Sequence, residues 1–138
     1  MDVEVGQKAT RAMKVDTASV RAFAGITGDY NPLHFDEEFA ANTRFGRLIA
    51  QGGIATGLLH ALVAMDLPGA GSVFLRQSWK FPKPVFIGDM ITAVGTVTFV
   101  QPKRGMVEME FRVTNQHGEV VLEGDALVYQ AEVPPDRP

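Results

Sequence analysis

Ile49–Gly69 reads IAQGGIATGLLHALVAMDLPG. From about Gly52 to Asp66 its apolar residues recur nearly all the way round a helical wheel, the pattern of a helix buried on most sides rather than laid on a surface. Pro68 and Gly69 end it. The chain beyond alternates instead. In Met106–Thr114, Val107, Met109, Phe111 and Val113 share one face and Glu108, Glu110, Arg112 and Thr114 the other, as in a half-buried antiparallel strand. The same period places Val73, Leu75, Trp79 and Phe81 on one face of a strand over Ser72–Phe81, and Ile91, Ala93, Val97 and Phe99 on one face of a strand over Met90–Val100. Turns at Lys103–Gly105 and Gly118 join three long strands, ending near Gln130, into a meander. One buried helix wrapped by a long, curved antiparallel sheet is an α+β domain.

Upstream the period is helical. Thr17 is placed to cap a helix through ASVRAFAGITG, with Val20, Phe23, Ala24 and Ile26 on one stripe and Gly28 as its stop. A second short helix is predicted to begin near Asp36. At 138 residues the chain has the size of one domain. A net charge of −3 argues against a nucleic-acid or anionic-membrane surface, which needs an excess of Lys and Arg. The absence of cysteine rules out disulfides, thiolate nucleophiles and zinc–thiolate sites, and fits a reducing compartment. The first residues lack the basic and apolar regions of a signal peptide. The longest apolar run, Ile54–Met65, is interrupted by Thr56, Gly57 and His60 and falls short of the ~20 residues of a membrane span. A cytoplasmic location is the expectation. A small sheet around one helix leaves edges and an uncovered face, so a homodimer is expected.

Thr27–Asp36, TGDYNPLHFD, gathers Asp29, Asn31, His34 and Asp36 around a proline. One reading is a helix stop followed by a solvated turn. The other is a site: Pro32 stiffens the segment, and a loop packed against the buried helix points both groups into a pocket. Asp29 and His34, five residues apart, can then share one water, the carboxylate as general base and the imidazole orienting the water or moving a proton. Asn31 would fix the loop or a ligand. An Asp-x4-His pair supplies too few ligands for a metal, so none is expected. His60 in the buried helix and His117 in a turn read as structural. Gly52 and Gly53 stand where the unpaired N–H groups of the buried helix begin, and let a ligand carbonyl approach the backbone. Tight packing explains the same glycines equally well.

FAGITGDYNPLHFD resembles the hydratase signature of MaoC-like domains, with acid, amide, proline and imidazole in the family's order and spacing. IAQGGIATGLL resembles the family's central-helix start, and SWKFPKPVFIGDMITAVGTV its following strands, so the resemblance spans Val5 to Tyr129. It implies a hot-dog fold over 1–138 as a single domain, with a core at about 5–130 and a flexible tail at 131–138. It also implies a dimer acting on coenzyme A thioesters without a separate cofactor, most like the single-domain (R)-specific enoyl-CoA hydratases. Residue by residue, Asp29 and His34 match the catalytic pair, Gly52 matches the glycine whose N–H binds the thioester carbonyl, and Asn31 and Gly53 fall beside the substrate. Gln51-Gly52-Gly53 departs from the family's usual His-Gly-apolar, which bears on the acyl pocket.

Hydration of an α,β-unsaturated thioester needs a base for water, an acid for the α-carbon and a donor for the enolate oxygen; Asp29, His34 and Gly52 supply one each. A pair acting on one face of the alkene predicts syn addition, reversible as dehydration. The alternatives are the same chemistry on an acyl carrier protein, which Lys80, Lys83, Lys103 and Arg104 would dock if they form one basic patch, a hot-dog thioesterase, and a non-catalytic acyl-thioester binder.

Overall fold

The computed structural model describes residues 1–132; the flexible tail expected at 131–138 lies, beyond Ala131 and Glu132, outside the described residues. Strand β1 (Lys8–Lys14) leads into helix α1 (Thr17–Thr27), two short helices α2 (Pro32–Phe35) and α3 (Glu37–Ala41), and helix α4 (Gly52–Ala61), which continues into a wide π-helical turn at Leu62–Asp66. Strands β2 (Ser72–Lys80), β3 (Met90–Gln101), β4 (Met106–Thr114) and β5 (Val120–Gln130) complete the chain. All five strands form one antiparallel sheet in the order β1-β3-β4-β5-β2, leaving β1 and β2 as edges.

The core lies between α4 and the sheet. Leu58, Leu59, Leu62 and Val63 of the helix meet Ile91, Ala93 and Val97 of β3, Val107, Met109 and Val113 of β4, and Leu122, Ala126 and Val128 of β5, all buried. The period-2 reading of β4 holds along its whole length, as does the extent of the central helix from Gly52 to Asp66. Burial all round that helix does not. Gly57, His60, Ala64 and Met65 face outward, because the sheet covers one side of α4 and nothing among the described residues covers the other.

Four further expectations are corrected. The cap of α1 is Asp16, not Thr17: its carboxylate accepts from the Ser19 amide at 2.9 Å, while the Asp16 amide donates to Ser19 Oγ, a reciprocal capping box. Ile26 is 86% exposed, since position 26 falls off the stripe of Val20 and Ala24. In β2 the register shifts between Phe74 and Arg76, which turns Phe74 and Trp79 onto Phe111 of the core and leaves Val73 and Leu75 half exposed. A shift between Val97 and Phe99 of β3 likewise turns Phe99 outward. A bulge reverses the face of every later residue, and no composition signal marks it. Strand β1 is hidden in the sequence because its charges do not alternate cleanly: Lys8 and Lys14 face outward, but Arg11 shares the inner face with Ala9 and Met13, which pack against the core.

Candidate active site

Gly28 ends α1 in the left-handed conformation, with φ of 82° and its amide on the Ala24 carbonyl, and so turns the chain sharply into Asp29. The turn is stiffened from within. Thr27 Oγ1 donates to the Phe23 carbonyl at 2.8 Å and accepts from the Asp29 amide at 3.2 Å, and Asp29 Oδ1 accepts from the Asn31 amide at 3.3 Å. Asn31 then caps α2, its Oδ1 accepting from the Leu33 amide at 3.1 Å with Pro32 in the first helical position. The expected loop around His34 is therefore a single helical turn, and it carries the imidazole inward.

His34 is 7% exposed, and its Nδ1 lies 2.7 Å from the Ile49 carbonyl. A carbonyl only accepts, so Nδ1 carries the proton, and a neutral His34 presents the Nε2 lone pair. That nitrogen stands 3.8 Å from Asp29 Oδ2, on a side chain that is 41% exposed. The gap exceeds a direct hydrogen bond and admits one water at ~2.8 Å from both. The carboxylate reaches solvent while the imidazole is buried.

Ile49 fixes more than the imidazole. Its amide donates to Leu33, it bridges Phe86, and the next amide, of Ala50, donates to the Val85 carbonyl at 2.7 Å. Three residues after Ile49, α4 starts at Gly52 without any side-chain cap, and neither the Gly52 nor the Gly53 amide is hydrogen-bonded among the described residues. The two glycines differ in what they meet. A Cβ on Gly53 would lie 2.1 Å from Cζ of Phe23, so this glycine admits the α1 ring and its presence is explained by packing. At Gly52 a Cβ would meet only the edge of Phe81, at 3.2 Å. Gln51, 2% exposed, ties the helix start to α1 by donating from Nε2 to the Val20 carbonyl at 3.1 Å, while its Oε1 is buried without a partner.

A pocket of about 260 Å³ adjoins Gly52, lined by Phe45, Ile49, Ala55, Phe81 and Val85 and by the cations Arg44 and Lys83. Lys83 is ion-paired with Glu119, and this contact, followed by a hydrogen bond from Asn115, holds the Glu119 carboxyl below the usual carboxylate range. Arg47 lies over the Phe86 ring at 3.9 Å.

The structure thus brings Asp29 and His34 together, ties His34 to Ile49 three residues before Gly52, and gives Asn31 a capping role, while neither Asp29 nor His34 lines the pocket beside Gly52. Sequence reasoning missed the Ile49 carbonyl, which has no side-chain signature. The four cations considered for one basic patch separate: Lys83 lines this pocket, Lys80 lies in a shallow cleft with Lys8 and Arg112, and Lys103 and Arg104 line a third recess at the β3–β4 turn. His60 contacts Gln77 and the Phe74 ring, and the His117 amide donates to Asn115, so both serve local structure.

Residues 2–130 match the model of the MaoC like domain. An (R)-specific enoyl-CoA hydratase of Aeromonas caviae is 40% identical over 126 residues, 91% of this chain and 94% of that protein. One of Rhodospirillum rubrum is 40% identical over 128 residues, 92% of this chain and 88% of its own. The solved structure of an (R)-hydratase from A. caviae involved in PHA biosynthesis superposes with a TM-score of 0.89 at 39% identity, covering 94% of this chain and 98% of the other.

Proposed function

This chain belongs to the MaoC-like domain family and has its hot-dog fold, and from that premise we propose that it is an (R)-specific enoyl-CoA hydratase, a hydro-lyase that adds water reversibly to a trans-2-enoyl thioester. The observation that carries the reading is the 3.8 Å gap between Asp29 Oδ2 and His34 Nε2, with the opposite ring nitrogen committed to a backbone carbonyl. A water held in that gap loses a proton to the pair as its oxygen bonds to the β-carbon. The electron pair of the alkene moves onto the thioester oxygen, where the Gly52 N–H at the start of α4 stabilises the enolate. The pair then returns the proton to the α-carbon on the same face, giving syn addition and restoring the starting state. No electron or activated group is transferred, so the chemistry asks for no cofactor; coenzyme A enters as part of the substrate.

In this reading Asn31 and Gly53 serve by position, Asn31 through the α2 cap and Gly53 through the seat of Phe23. The whole chain acts as one domain. The uncovered stripe of α4 and the half-exposed Val73 and Leu75 on edge strand β2 support a homodimer in which a second copy covers them. No helix among the described residues is long and apolar enough to cross a membrane, and a cytoplasmic site of action is the proposal that accompanies the substrate.

The test is crotonyl-CoA with two readouts, absorbance of the enoyl-thioester band and release of free thiol. Loss of the band without thiol, with (R)-3-hydroxybutyryl-CoA as product, is the expected result. Thiol release would replace the reading with a thioesterase, and silence in both channels across longer acyl chains would leave a binding protein.

A further inference from the structure

Three polar side chains are buried among the described residues: His34, Gln51 and Asp89. The first belongs to the candidate site and the second clamps the start of α4, but Asp89, 4% exposed in the turn between β2 and β3, has no part in the hydration chemistry. It is in no ion pair among the described residues. Instead its two oxygens serve two different segments. Oδ2 accepts from the Phe86 amide at 2.9 Å, and Oδ1 accepts from Nε2 of Gln116, in the β4–β5 turn, at 2.8 Å. Two donors meeting at one short side chain need two acceptor oxygens, which a carboxylate has and an amide lacks. The backbone closes the same turn, the Asp89 amide donating to the Phe86 carbonyl at 3.1 Å. It also pins the turn to the residue before the α1 cap: the Val15 amide donates to the Asp89 carbonyl at 2.8 Å, and the Gly88 amide to the Val15 carbonyl at 2.6 Å.

The far side of this turn reaches the site. Phe86 forms an antiparallel bridge with Ile49, next to the bond from the Ala50 amide to the Val85 carbonyl, and the Ile49 carbonyl accepts from His34 Nδ1 at 2.7 Å. The path from the buried acid to the imidazole therefore runs through Phe86 and Ile49 alone. We propose that Asp89 is a positioning residue for His34: by fixing Phe86 it sets where the Ile49 carbonyl lies, and so keeps the imidazole proton on Nδ1 and the Nε2 lone pair toward Asp29. A ring nitrogen's proton is assigned by the hydrogen bond that the other nitrogen leaves it, so an acceptor that drifts away releases the tautomer. Gln116 aims the carboxylate, and its own Oε1 is held by the Met90 amide at 3.0 Å. The effect on turnover rests on the hydratase reading, whereas the effect on the tautomer is a property of the hydrogen bonds and needs no turnover.

The experiment exchanges acid and amide across one hydrogen bond. Asp89→Asn turns one acceptor into a donor that faces the Phe86 amide or the Gln116 amide. Adding Gln116→Glu lets the new amide donate to the new carboxylate, which still accepts from Met90. Two readouts are taken: nitrogen NMR of ring-labelled histidine at a pH where the rings are neutral, with the His34 signals among the three histidines assigned by their loss in His34→Gln, and kcat and KM on crotonyl-CoA. Asp89→Asn is expected to move His34 partly to the Nε2–H tautomer and to lower kcat about tenfold with KM within about twofold. The double variant is expected to restore the tautomer and to bring kcat within about threefold of the parent. Val107→Ala, a fully buried truncation on β4, should lower the melting temperature without either change. Gln116→Met keeps the Phe86 bond and unties the other oxygen; it should show both changes at reduced size, and it decides the matter if Asp89→Asn does not fold. Unmoved His34 signals in both Asp89→Asn and Gln116→Met, a loss of kcat without a tautomer shift, or the same changes in Val107→Ala would overturn the proposal. A tautomer shift in a protein that hydrates no thioester would uphold it and refute the hydratase reading alone.

Discussion

Asp29 and His34 are aligned largely by their own neighbours, whereas Gly52 and Gly53 are placed by residues distant in sequence. Within a few positions, Thr27 braces the turn, Asp29 accepts from Asn31, and Asn31 caps the helix that carries the imidazole. The start of α4 has no such local brace. It is held by the Val85 carbonyl on one side and by α1 on the other, where Gln51 reaches Val20 across 31 positions and the Phe23 ring fills the space left at Gly53. Ile49 joins the two regions, its carbonyl accepting from His34 Nδ1 and its amide donating to the Leu33 carbonyl. The proposed proton-transfer pair should therefore tolerate distant changes that displace the proposed oxyanion donor, and each region should fail in its own way.

The largest effect is expected on the local side. Asp29→Asn keeps the shape and the acceptor for the Asn31 amide but removes the base, so kcat should fall by about 10²–10⁴-fold, with affinity for coenzyme A and thermal stability near the parent's. Stopped-assay kinetics beside a melting curve check this, and turnover within about threefold of the parent would remove Asp29 from the mechanism.

On the distant side the adjacent glycines should separate. Gly53→Ala forces a methyl 2.1 Å from the Phe23 ring, which must leave its seat or push α1 aside; the expected cost is ~1–3 kcal/mol in a urea melt, beyond any gain in helix propensity. Phe23→Leu in the same chain should recover part of it, a non-additivity that marks direct contact. Gly52→Ala meets only a side-chain edge that can swing away. Its stability should stay within about 1 kcal/mol of the parent's while kcat/KM falls, since the methyl enters the space above the amide. Equal stability losses at both positions would erase the contrast.

That contrast also explains what could be read without coordinates. The acid, amide, proline and imidazole are a local device, and local hydrogen bonds are written in residue order, so Thr27–Asp36 announced itself. The extent of α4 and the strict alternation of β4 were legible for the same reason, as each obeys one period over many residues. Leu75 and Phe99 were misplaced because a bulge is decided by pairing with a distant strand. Ile49 was invisible because its contribution is a carbonyl that every residue possesses. Gly53 could be read as a ligand glycine or a packing glycine until Phe23, thirty positions earlier, came to rest against it.

Gln51→Met probes the clamp with a smaller expected effect. The near-isosteric thioether removes the donor to Val20, whose carbonyl stays inside the α1 ladder, and also removes the buried Oε1 that has no partner. A net hydrogen bond of ~1 kcal/mol and the relief of an orphaned acceptor of ~1–3 kcal/mol oppose each other, so the melting temperature should change little. If Gln51 positions the oxyanion donor, kcat should nonetheless fall severalfold with KM nearly constant. A change in stability without a change in kcat would make it a fold residue only.

The smallest effect reaches the same clamp from farther off, through Asp16. Its carboxyl is held below the ordinary value, first by the Ser19 amide and then by the Ser19 hydroxyl, and the helix it caps carries both Val20 and Phe23. A depressed folded-state value means that the unfolded chain takes up the proton first. The contribution is therefore complete above the ordinary aspartate range, about pH 4, and fades as the pH falls toward the folded value. Glu119 follows the same sign through Lys83. Asp16→Asn retains a capping oxygen but cannot titrate, so the parent should lose more melting temperature than the variant between about pH 7 and about pH 3, and the two should converge at the acid end. Parallel slopes would mean that protonation of Asp16 leaves α1 undisturbed, and the oxyanion end would then be insulated from the cap that starts its supporting helix.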